Sequence, residues 1–180
     1  ILKPVVPAAE KEMIADNIIR SGHHSVLEHC SVTFAVSGVS RTLLAQYTRH
    51  RIGISISVQS QRHVWGGRNY LFSHVVPPEI MRDRDASRAY YRQLAAAQEA
   101  YEQLLGMGIK KEDARFVLPG GAATNFVTTL NLRSLLYIYN ERVVKPGAQW
   151  EVKEMVKEFA RLVCEREPWL MKYFEGLEVV

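Results

Sequence analysis

The chain has 180 residues, enough for one domain with a substantial hydrophobic core and short for two. Hydrophobic residues make up 47% and charged residues 23%, which excludes disordered and fibrous classes, and no apolar run nears the roughly 20 residues that span a bilayer. The net charge of +4 favours an anionic partner without choosing among nucleotide, nucleic acid and acidic lipid.

Residues 9–21 carry Met13, Ile14 and Ile18 at helical spacing before Gly22, which predicts a helix ended by a left-handed glycine. Val32, Phe34 and Val36 then alternate with Ser31, Thr33 and Ala35, the period of a half-buried strand, and Gly38 is expected to break it. Leu43, Leu44 and Tyr47 predict a short helix running into Arg49. Residues 52–58 alternate isoleucine and serine, as a strand or an extended segment, ahead of a loop at Gly66-Gly67. Pro77-Pro78 starts a long helix with one stripe of Tyr90, Leu94, Ala97, Tyr101 and Leu104, closed by Gly106. A short helix over 110–118 is cut by Pro119-Gly120-Gly121, and the β-branched segment 125–129 reads as a strand. Helices follow to the end, one with Leu132, Leu135, Leu136 and Tyr139, another with Val152, Met155, Val156, Phe159, Ala160 and Val163, stopped by Pro168. The pattern is that of a single α+β domain over residues 1–180, helix-rich with a small sheet.

The beginning of the chain has no signal-peptide pattern, so a soluble cytoplasmic protein is expected. It opens at Ile1 rather than at a methionine, so a first strand can be missing here. Cys30 and Cys164 are too few for a disulfide scaffold and are expected to be reduced and buried.

Four groups of residues could carry chemistry. At 100° per residue a helix would place Gln46, Arg49 and His50 on one face and Arg51 on another, a cluster able to hold two groups. Its bland alternative is a solvated helix end whose arginines answer the macrodipole. In an extended segment Ser60 and Arg62 flank Gln61 on one side, and a hydroxyl with a guanidinium fork suits a phosphate; the alternative is an exposed polar pair. His23, His24, Glu28 and His29 raise a metal reading, but their spacing is not that of a zincin helix, and they could equally bond backbone or a polar ligand. Asn131, Arg133, Asn140 and Arg142 are read on one helix of about three turns, lining a polar face beside the core. Neither cysteine looks like a nucleophile, since activation needs a cationic neighbour.

Six blocks in order resemble the flavin-dependent thymidylate synthases. They are Gly22-His23-His24-Ser25-Val26-Leu27-Glu28-His29; Gln46 with Arg49-His50-Arg51; Ser60-Gln61-Arg62; Ala114-Arg115-Phe116-Val117-Leu118-Pro119; Asn131-Leu132-Arg133-Ser134-Leu135; and Ala148-Gln149-Trp150-Glu151. The resemblance implies that family's α+β fold with a small, mainly antiparallel sheet. It implies FAD contacts at Ser25, Glu28, Arg49, His50, Arg51, Asn131 and Arg133. It places dUMP at Gln46, Arg49, Ser60, Gln61, Arg62, Arg115 and Arg142, with Arg142 as the catalytic group that stabilises the ionised uracil ring. It further implies NADPH and methylenetetrahydrofolate as co-substrates, no metal, and a homotetramer with sites shared between subunits, without nucleic-acid or membrane partners. Two spacings differ from the family's usual ones: the eight residues separating Arg51 from Ser60, and the interval from Arg142 to Gln149, are each one residue longer than usual.

The chemistry stands without the name. Methylating a uracil ring needs electron density at one carbon, and an arginine beside the ring can stabilise the negative charge that supplies it. Two other readings remain open: a nucleic-acid-binding module using Arg49, Arg51, Arg62 and Arg68 on phosphates, and a flavoprotein of the same family with altered or lost activity.

Overall fold

A computed structural model describes residues 7–60 and 71–175, apart from the side chains of Ala8, Ala9 and Glu175. The chain order is α1 (Ala8–Arg20), β1 (Ser31–Ser40), α2 (Arg41–Tyr47), β2 (Ile54–Val58), α3 (Pro78–Arg82), α4 (Arg84–Gly106), α5 (Lys111–Ala114), β3 (Ala123–Asn131), α6 (Leu132–Tyr139), α7 (Trp150–Arg166) and α8 (Met171–Glu175). The result is helix-rich, with one three-stranded sheet among the described residues in the order β1-β3-β2, as expected of an α+β protein. The Asn131 amide donates to Gly53 O and the Gln59 amide to Asn125 O, so residue numbers rise along β2 as they fall along β3 and the pair is antiparallel. No helix among the described residues is long and apolar enough to cross a membrane.

The central strand explains itself by alternation. Thr124, Phe126, Thr128 and Leu130 are buried while their neighbours are not, the period-two rule with two threonines on the inward side. Contacts divide the chain into two compact units. In the first (1–34, 50–55 and 128–180), Phe34 stacks on Phe159 with ring centroids 4.1 Å apart, and α7 buries Val152, Met155, Val156, Phe159, Ala160 and Val163 as its stripe requires. In the second (35–49 and 56–127), Phe72, Leu94, Ala97 and Ala122 form a core cluster, and Tyr47 stacks near Phe126.

Several elements differ from the sequence expectation, each for a local reason. Strand β1 continues through Gly38, which takes φ 70°, because the Asn125 side-chain oxygen accepts the Gly38 amide at 2.9 Å. The helix begun at Pro78 is not continuous. It stops at Arg82, and Asp83, extended at φ −107° and ψ 123°, caps α4 by accepting the amides of Asp85 and Ala86. Helix α2 ends at Tyr47 because the Thr48 hydroxyl turns back to the carbonyls of Leu44 and Ala45, so Arg49 lies in a turn and His50 and Arg51 lie beyond the helix. The expected helix face shared by Gln46, Arg49 and His50 therefore does not exist. Asn131 is not a helical residue either: it ends β3 and caps α6, its oxygen accepting the Ser134 amide at 2.9 Å. Cys164 is buried as expected, but Cys30 is exposed, just before strand β1.

Within the first unit Asp16 of α1 ties down α8. Lys172 Nζ lies 2.5 Å from it, Arg20 lies 3.1 Å away, and the Tyr173 hydroxyl donates to it as well. The hydrogen bond from Lys172 holds the Asp16 carboxyl below its ordinary value, against a burial effect that raises it, with Arg20 adding to the lowering. A depressed carboxylate contributes stability that is complete above the ordinary pKa of 3.8 and disappears as pH falls through the lower folded value. Amide exchange in α8 should accelerate in that acid window, and Asp16→Asn should accelerate it already at neutral pH. Unchanged α8 exchange in the variant would show that the tie is cosmetic.

Candidate active site

The first unit gathers most of the residues expected around the cofactor. Glu28, in the 3-10 turn His24–His29, meets Arg133 of α6, with Oε1 and Nη1 2.5 Å apart and both side chains about half exposed. An exposed pair of this kind contributes between nothing and about 1 kcal/mol, so its consequence is positional. Ser25 lies in the same turn and is exposed, as is Arg51.

His50 and Arg142 meet directly. Arg142 Nε donates to His50 Nε2 at 2.9 Å, which requires that nitrogen to be unprotonated and places the imidazole hydrogen on Nδ1. The His50 ring also stands edge-on to Tyr137, centroids 6.3 Å apart. Arg142 comes from a π turn, Asn140–Val144, where the Lys145 amide reaches back five residues to Asn140 O at 2.9 Å. A π turn holds one residue more than an α turn, so the long interval between Arg142 and Gln149 can be absorbed there without shifting α7. Gln149 itself caps α7, its side-chain oxygen accepting the Val152 amide at 3.0 Å.

What fixes His50 in front of α6 is a junction at Gly53. Its φ is 67°, and a β-carbon there would lie 2.4 Å from Ser134 Oγ and 2.5 Å from Asn131 Nδ2. Ser134 Oγ donates to Ile52 O at 2.8 Å, and the Asn131 amide to Gly53 O at 3.1 Å. Two adjacent carbonyls just after the arginine-histidine-arginine stretch are thus pinned to the start of α6.

The second unit holds Gln46, Arg49, Ser60 and Arg115. Gln46 is half-buried on α2 and Arg49 exposed in the turn after it, its amide donating to Gln46 O at 3.4 Å. Ser60 is half-buried just past β2. Arg115 donates from Nε to Glu112 O at 3.0 Å, which anchors its base at the end of α5. Gln61, Arg62 and Arg68 lie outside the described residues. The histidine-rich segment forms no group of three metal-binding side chains among the described residues; His24 Nε2 instead lies 3.3 Å from Ile19 O.

Residues 3–169, almost the whole chain, match the family described as thymidylate synthase complementing protein. The chain belongs to that family. Flavin-dependent thymidylate synthases are among its relatives: that of Geobacter sulfurreducens is 38% identical over 95% of this chain and 72% of its own length. Those of Haloarcula marismortui and Halobacterium salinarum are 33% and 35% identical, over 92% and 88% of this chain and 76% and 73% of their own lengths.

In this chain, the residues that sequence reasoning missed are structural partners of those it found. Ser134 and Ile52 shape the junction, and the signal for Ser134 was its place three residues after Asn131, the spacing of a side-chain cap. Gly53 carried a weaker signal, a lone glycine between isoleucines. Gly53→Ala combines a left-handed backbone with a steric conflict and should cost about 2 kcal/mol or more, seen as a Tm lower by roughly 4–8 °C. Retained stability in that variant would mean the junction relaxes easily.

Proposed function

We propose that this chain is a flavin-dependent thymidylate synthase, reductively methylating dUMP to dTMP with methylenetetrahydrofolate as carbon donor, FAD as flavin and NADPH as reductant. The observation that carries the reading is the 2.9 Å bond from Arg142 to His50, which joins the proposed activating arginine to the arginine-histidine-arginine stretch. The names of its relatives point the same way.

The donors of the first unit fit FAD in kind. Arg51 and Arg133 are exposed cations suited to a pyrophosphate; Asn131 has its oxygen held by the α6 cap, which leaves its amide hydrogens for a ligand; Ser25 and Glu28 offer a hydroxyl and a carboxylate to sugar or base. Bound there, the flavin supplies hydride chemistry that no side chain can supply. Arg49 is proposed as a ligand of the flavin and of the nucleotide. Gln46, Ser60 and Arg115, with Gln61 and Arg62, would hold dUMP by its base and phosphate.

Arg142 does the electrostatic work on the substrate. A fixed positive charge beside the uracil ring stabilises the anion that makes the ring carbon nucleophilic, and a charge already oriented need not reorganise at the moment of reaction. His50, accepting from Nε, holds the guanidinium in one orientation. No thiol is called for. A cytoplasmic homotetramer with shared sites, without nucleic-acid or membrane partners, completes the reading.

The purified protein should be yellow or take up FAD, oxidise NADPH in a dUMP-dependent way and release tritium from ring-labelled dUMP. Arg142→Ala should keep the flavin spectrum and lose turnover by about 10²-fold or more. Undiminished turnover would place the activating charge elsewhere.

A further inference from the structure

The second unit contains a cavity of about 130 Å³ that none of the roles above uses. Its chemistry is one-sided. Arg41, Gln59, Ser73, Thr124 and Asn125 supply its polar lining, and no lining residue is acidic. Among the described residues, two polar atoms of its lining residues are buried without a hydrogen-bond partner, Arg41 Nε and Thr124 Oγ1, and Thr124 as a whole is 5% exposed. A buried hydroxyl or guanidinium N–H left unmade costs on the order of 1–3 kcal/mol, and both of these belong to residues that line the one cavity.

Other bonds preset the donors. The Asn125 side chain is used at both ends, accepting from the Gly38 amide at 2.9 Å and donating to Gln59 Oε1 at 2.6 Å. That fixes which end of the Gln59 amide is occupied and leaves its NH₂ group as a donor. Among the described residues Arg41 makes one long bond, from Nη2 to Gln59 O at 3.5 Å, and no carboxylate pairs with it. Burial first, and the charge of Arg115 second, push the Arg41 guanidinium below its ordinary value, the signature of a cation short of a counter-charge.

We propose that this cavity binds an oxyanion group, held by the Arg41 guanidinium and the Thr124 hydroxyl with the Gln59 amide at its rim. The volume suits a phosphate or a carboxylate and is too small for a nucleoside. Two reactants of the proposed reaction carry such a group: the 5′-phosphate of dUMP, whose expected ligands Ser60 and Arg115 neighbour this donor set, and the glutamate carboxylates of the folate. Assignment to a reactant rests on the function proposed above; oxyanion binding itself does not.

The test uses inorganic phosphate on the full chain, then kinetics. Phosphate should raise the Tm of the wild-type protein, and Arg41→Gln and Thr124→Val should each abolish that rise. Thr124→Val removes an unsatisfied hydroxyl for a methyl of similar shape, so its Tm without phosphate should be unchanged or higher, which separates ligand loss from misfolding. An equal phosphate-induced rise in both variants, or none in the wild type, overturns the inference and leaves the cavity to water. In the kinetic arm, a KM for dUMP about tenfold higher in both variants, with deoxyuridine unaffected, identifies the nucleotide phosphate. The same increase confined to methylenetetrahydrofolate identifies the carboxylate. Unchanged KM values for both reactants overturn the assignment to a reactant, while an enzyme inactive towards dUMP fails the functional reading and leaves the phosphate result standing.

Discussion

Gly53 is a glycine because two side chains occupy the space a β-carbon would need, and the first unit's site follows from that exclusion. With Ser134 Oγ on the carbonyl of Ile52 and the Asn131 amide on that of Gly53, the segment leaving His50 is fastened to the turn where β3 becomes α6. Asn131 has two tasks there, closing the strand ladder with its backbone and capping the helix with its side chain. His50 then stands where the π turn can bring Arg142 to it, and Arg133 leaves the same helix towards Glu28. Backbone geometry sets the placement of His50, while the ion pair with Glu28 orients Arg133.

The two units divide the polar work. The first holds its cations in pairs, Arg133 with a carboxylate and Arg142 with an imidazole nitrogen. The second anchors Arg115 on a backbone carbonyl and leaves Arg41 almost bare beside an unpartnered threonine. Pairing lowers the energy of a site without ligand, whereas a partly buried cation with no counter-charge raises it, and under the oxyanion proposal that would increase what an anion gains by arriving.

Much of the fold was legible in the sequence because burial imposes a period. The stripe of α7 from Val152 to Val163 and the alternation of Val32, Phe34 and Val36 were visible without coordinates. Hidden features were those decided by one side chain bonding to backbone. Asn125 carries β1 through Gly38, Asp83 divides what Pro77-Pro78 seemed to start as one helix, and Thr48 ends α2 before Arg49. Such bonds have no period, so pattern reading passes over them. The site residues were legible as types in order, but their partners were not: nothing local tells Glu28 from any other surface acid, or says that Arg142 will meet His50 across 92 positions of chain.

The Glu28–Arg133 pair has a further consequence. If Arg133 holds an anion as proposed, the Glu28 carboxylate would occupy the guanidinium until that anion displaced it. An incoming anion meets an arm whose rotamers are already restricted, so it surrenders less conformational freedom on binding, but it must outbid a charge that is tethered and never diffuses away. Selectivity would then favour ligands with more than one negative charge, since a single carboxylate would merely exchange like for like.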